Sequence, residues 1–147
     1  MTPSAFAAFA ASAGSPTPIR IDADRYVPGV CNIGPAEIAS RRRSGHVGVI
    51  AALVLLVVLV AIGAPPITRL LIALPVAVGA SGYLQAWLRF CAGFGAAGVF
   101  NFGDRGTTNA VADPEARRKD RSKAFQIGGT AFAIGIAAGI VAVLLPV

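Results

Sequence analysis

Two cysteines and one histidine, Cys31, His46 and Cys91, are the side chains of this sequence best suited to redox or metal chemistry. All three are expected near one membrane surface, where a thiol pair or a metal site is geometrically allowed. Zinc, however, takes four ligands with close Cys/His pairs along the chain, and no C-x-x-C or H-x-x-x-H occurs here. Two distant cysteines are also too few for a disulfide-stapled fold. Cys31 and Cys91 are therefore read as thiols facing a reducing compartment and His46 as an interfacial residue. No metal ligand or cofactor is expected.

Gly93, Gly95 and Gly98 satisfy G-x-G-x-x-G, the dinucleotide fingerprint. That pattern works by turning a strand into a helix whose N-terminus meets pyrophosphate. Here it follows an apolar helical run, so close helix packing or turning at an interface is the expectation. Glu37 and Arg41 are spaced for an i,i+4 pair that supports a helix. No Ser/His/Asp or Cys/His set with an orienting acid can be assembled, and the chain is not expected to be an enzyme.

The elements that carry these residues are those of a membrane protein. The 147 residues are 55% apolar and only 14% charged, against about 45–50% and about 25% in an average globular protein. A small soluble domain must cover a large surface with polar groups, and this chain has too few. The net charge of +6 comes without a nucleic-acid-binding motif, so no nucleic-acid partner is expected. Residues 1–14 lack the basic start and apolar core of a secretory signal.

Residues 1–30, with four prolines, read as an irregular arm holding at most a short helix at 4–13. Residues 31–46 read as a basic interfacial helix opened by Pro35 and Glu37 and carrying Arg41, Arg42 and Arg43. Residues 47–103 read as a transmembrane hairpin with spans at about 47–64 and 67–88, each close to the ~20 residues a bilayer core requires. A kink is expected at Pro75, and Tyr83, Trp87 and Arg89 suit an aromatic belt. The Gly/Phe-rich run 90–103 is too short to cross and reads as interfacial or re-entrant. Residues 104–123 form a charged segment with Asp113 as helix cap, Pro114 at the first helical position and a Glu115–Lys119 pair. Residues 124–147 are the third span.

The fold class expected is thus an all-α membrane protein with three transmembrane helices and short interfacial helices. With the N-terminus cytoplasmic and the C-terminus external, every Lys and Arg except Arg69 lies inside, Arg117, Arg118 and Lys119 included, as the positive-inside rule requires. Arg41, Arg42, Arg43, Arg117, Arg118 and Lys119 would then meet anionic lipid headgroups. Ala73, Ala77 and Ser81 on the second span, and Ala131, Gly135 and Gly139 on the third, repeat at four-residue spacing. Such small-residue stripes let helices approach closely in lipid. The first span, rich in Leu and Val, is expected to face lipid.

Asn32, Ile33 and Gly34, then Glu37 and Arg41, then Gly45 and Gly48 ahead of two close apolar runs, resemble the small bacterial inner-membrane hairpin domain associated with membrane rhodaneses. The likeness covers about residues 31–103. Gly82, Tyr83 and Cys91 only approximate the family's Gly/Cys-Pro-Tyr segment, and no rhodanese domain is seen, so sulfur transfer is not carried over. The resemblance implies a multi-pass protein of a bacterial inner membrane. The function expected is a non-enzymatic accessory or structural subunit contacting other membrane subunits. The alternatives are a homo-oligomeric small transporter or channel, or a thiol redox module at the cytoplasmic surface.

Overall fold

The computed structural model describes residues 26–146, so residues 1–25 of the arm expected at 1–30 lie outside the described residues. Three helices are long and apolar enough to span a membrane. Helix α1, Pro35–Ala61, opens with Pro35 in the first turn, where no hydrogen bond is lost, and Glu37 at the positive end of the helix dipole. It ends at the Gly63 turn, φ 62°, ahead of Pro65 and Pro66. The structure differs here from the expectation of a separate basic helix at 31–46. Nothing between Arg43 and Val47 breaks the ladder, and Gly45 inside a helix costs only about 1 kcal/mol, so the basic and apolar parts form one rod.

A 3₁₀ segment, Pro66–Ile72, leads into α2, Ala73–Trp87. Pro75 falls in the first turn of α2, where its missing N–H is not needed. The chain thus passes from 3₁₀ to α-helix at this point, in place of the mid-helix kink expected there. Helix α3, Ala92–Ala97, is a single short element capped by the Cys91 side chain, whose Sγ accepts from Phe94 N at 3.4 Å. Strand β1, Val99–Phe100, pairs antiparallel with β2, Asn109–Ala110. The fold is therefore mostly helical with a small hairpin. Helix α4, Pro114–Leu144, starts from Asp113, whose carboxylate accepts from Glu115 N and Ala116 N at 3.1 Å each. Lys119 pairs with Glu115 at 3.0 Å.

The spanning helices lie in a row. α2 packs against both α1 and α4, whereas α1 and α4 hardly meet. Each seam is built from small residues. A Cβ at Gly48 would fall 2.5 Å from Gly79 Cα, and one at Gly82 would fall 2.5 Å from Gly45 N, so backbones touch directly. On the other side of α2, a Cβ at Gly135 would lie 2.9 Å from Ala77 Cβ and one at Gly139 3.3 Å from Ala73 Cβ. Helix α1 therefore carries its own small stripe, Gly45, Gly48 and Ala52, all buried, and is not only a lipid-facing helix. Only 22%, 22% and 28% of the most apolar stretch of each span is buried.

Candidate functional site

The polar chemistry of the chain is concentrated at one end of this row. The segment before α1, the end of α2, α3, the β-hairpin and the first turns of α4 form a cap there. Its hub is Asn32, fully buried. Asn32 Oδ1 accepts from Cys91 N at 2.6 Å and Asn32 Nδ2 donates to Cys91 O at 3.1 Å. Its backbone N–H donates to Arg89 O and its carbonyl accepts from Asn101 N. This side chain imitates a neighbouring strand and locks the α2–α3 connection to the start of α1.

Asn101, also fully buried, is the second hub. Its Nδ2 donates to Asp104 O at 2.9 Å and Glu37 Oε1 at 3.4 Å, and its Oδ1 accepts from Gly103 N and Thr107 Oγ1, both at 2.9 Å. Glu37, 5% exposed, also accepts from Gly106 N and pairs with Arg41 at 3.5 Å. Glu37, through Asn101 and Gly106, thus ties the loop after β1 to α1. Arg41 lies over the Phe94 ring, 5.9 Å from its centroid, which adds a cation–π contact.

Asp120 on α4 is buried completely and holds the start of the described chain. Its two carboxylate oxygens accept from Tyr26 OH and Gly29 N, each at 2.7 Å. Gly29, φ 72°, follows Pro28 in a turn closed by Val30 N to Val27 O, a position that calls for glycine. Tyr26 stacks on Phe100 with centroids 4.9 Å apart. Burial, the hydrogen bond to Asp120 and the charges of Asp120 and Asp113 all hold the Tyr26 hydroxyl protonated well above its ordinary range.

Cys31 and Cys91 are both thiols at the capped end; Cys91 is 2% exposed and Cys31 half-buried. His46 Nδ1 meets Tyr83 OH at 2.5 Å on the outer surface of α1 and α2. Among the described residues no group of three or more His, Cys, Asp or Glu side chains is arranged to hold a metal. Ala73 and Ala77 face Gly135 and Gly139 across the α2–α4 seam, and Ala131 is buried on the same stripe. Ser81 accepts from Gln85 Nε2 at 2.8 Å. Gln85 in turn accepts from Ala92 N at 3.0 Å, linking α2 to α3. Arg42, Arg43, Arg117, Arg118 and Lys119 are exposed around the cap. In the fingerprint-like run, Gly95 packs against Phe90 and Asp120 O, and Gly98 ends α3 at φ 70°. Those are packing and turning roles.

Sequence reasoning missed three features. Asn32 stood out only as part of the Asn-Ile-Gly run and Asn101 not at all; the side-chain bonds of Asn32 to Cys91 and of Asn101 to Glu37, Gly103, Asp104 and Thr107 make them hubs. Asp120 sits in a charged run that reads as solvated. Arg69, expected to lie alone at the far end, is 3% exposed, and its Nη1 donates to Leu145 O at 2.9 Å and Ala142 O at 3.3 Å. It thereby satisfies the orphan carbonyls at the C-terminus of α4 and meets the negative end of that helix dipole. Compared with protein-family models, with curated proteins and with solved structures, the chain matches none.

Proposed function

We propose that this chain is a non-enzymatic structural subunit of a larger membrane assembly, crossing a bacterial inner membrane three times and presenting its polar cap on the cytoplasmic side. The observation that carries this reading is the row arrangement of α1, α2 and α4. Three helices side by side enclose no lumen, so one copy has no route for a solute. The side chains that could do chemistry are spent on structure: Asn32, Asn101, Glu37, Gln85 and Asp120 hold the cap together. Such a cap is a rigid platform for neighbours. Charge supports this orientation: every described cation except Arg69 lies at the capped end or in the first turns of α4.

A homo-oligomer using the Gly135/Gly139 face would have to displace α2 from it, and thiol chemistry at Cys91 would have to give up the cap of α3. Both alternatives therefore require rearrangement that the subunit reading does not. Extraction of the tagged native chain in mild detergent should give a species far larger than 14.9 kDa that contains other membrane subunits. A lone chain, together with unchanged membrane complexes in a deletion strain, would overturn the proposal.

A further inference from the structure

We infer that the groove between the start of α1 and the end of α2 is a binding site for one anionic phospholipid. The inference rests on the chain lying in a membrane and not on its having protein partners. The groove encloses about 800 Å³ and is lined by Arg42, Arg89, Trp87, Phe102 and Cys31, among others. It adjoins a second depression of about 470 Å³ that shares Arg42, Ala86 and Trp87 and continues over Ala80, Leu84 and Ile134 along the apolar span. Among the described residues no carboxylate lines either part. A basic head end that opens onto an apolar strip has the shape and polarity of an amphiphile with a negative headgroup.

The two arginines are available for a phosphate. Glu37 pairs with Arg41, and among the described residues neither Arg42 nor Arg89 pairs with a carboxylate. Guanidinium groups recognise phosphate through charge-assisted, bidentate hydrogen bonds. Trp87 is 81% exposed beside them, and an indole at the end of a span is suited to headgroup level.

Backbone geometry adds an independent observation. Helix α2 closes with Phe90 N bonded to Gln85 O and Arg89 at φ 52°, the left-handed position of a Schellman cap that glycine ordinarily fills. Arg89 is the only described non-glycine residue with positive φ. A strained residue kept where glycine fits better is explained when its side chain is needed. Here that side chain is a cation on the groove wall. A free phosphate would use only the head end; the apolar continuation selects a lipid.

The test is native mass spectrometry of the delipidated full chain, titrated with phosphatidylglycerol or phosphatidylcholine of matched acyl chains. One phosphatidylglycerol should be retained with a preference of about tenfold or more over phosphatidylcholine. Arg42→Gln with Arg89→Gln should abolish that preference, whereas Arg105→Gln with Arg121→Gln, neither of which lines the groove, should keep it. Equal retention of both lipids, or equal loss in the two double variants, overturns the site. Displacement of the lipid by inorganic phosphate or glycerol phosphate also overturns it, by showing a soluble-anion site. Arg89→Gly guards against misfolding, since it keeps the cap geometry and should still weaken retention.

Discussion

Replacing Gly48 by Ala tests how the α1–α2 seam is built. The new Cβ would lie 2.5 Å from Gly79 Cα and 2.8 Å from Pro75 O, both backbone atoms that no rotamer change can move. Restoring ordinary contact near 3.4 Å means separating the helices by about 1 Å, and a gap of that size forfeits a quarter to a half of each dispersion contact along the seam. Overpacking of this kind costs about 1–3 kcal/mol. Alanine is also a better helix former than glycine by about 1 kcal/mol, which would mask part of the cost. Gly128→Ala supplies the correction: Gly128 lies within α4 with nothing within 4 Å of its would-be Cβ, so it gains the same propensity with no clash. The difference between the two variants isolates the seam. In mixed micelles, unfolding by a denaturing detergent can be followed through Trp87, the single tryptophan. Gly48→Ala should be less stable than Gly128→Ala by about 1–3 kcal/mol. Equal stability, or a more stable Gly48→Ala, would refute the close backbone contact.

The same unfolding assay checks three further outcomes. Arg89→Gly should be more stable than the parent by about 1 kcal/mol, because it relieves the left-handed conformation of a residue with a Cβ; a loss of stability would mean that the side chain holds the cap. Asn101→Leu removes four hydrogen bonds made by a fully buried side chain, which should cost about 3 kcal/mol, and retention of parental stability would remove Asn101 as a hub. Tyr26→Phe deletes the donor to Asp120 and should cost about 1–2 kcal/mol at neutral pH. The folded state holds the Tyr26 proton more tightly than the unfolded one, so its contribution is complete below the ordinary tyrosine value of about 10 and is lost as pH rises above it. Parent and variant stabilities should converge in that alkaline range; a constant gap across it would show that Tyr26 does not titrate as argued.

The spans, the Asp113 cap and the Glu115–Lys119 and Glu37–Arg41 pairs were legible because they depend on residues near one another in sequence. The α2–α4 contact was also within reach, since Ala73, Ala77, Gly135 and Gly139 repeat at helical spacing. The stripe Gly45, Gly48, Ala52 was harder to see: it is spaced three and four apart within a run dominated by Val and Leu. Its partner glycines, Gly79 and Gly82, lie on a different face of α2 from the alanine stripe. The cap was not legible. Asn32 and Asn101 are 69 residues apart, and their hydrogen bonds to Cys91, Glu37 and Asp104 follow from how loops meet in space. Asp120 shows the same limit, because one carboxylate in a run of arginines and lysines gains meaning only when Tyr26 and Gly29 arrive from the other end of the chain. Arg69 likewise became a helix cap only once the 3₁₀ segment was placed beside the end of α4.

A structural subunit of a larger assembly should touch its neighbours within the membrane. In-membrane photo-crosslinking in the native host, from a probe at the outward position Val57 on α1, together with sizing of the mild-detergent extract, tests it most directly. Covalent adducts to other membrane subunits within a large native species are expected. Crosslinks to lipid alone, with the chain migrating as a monomer, would contradict it.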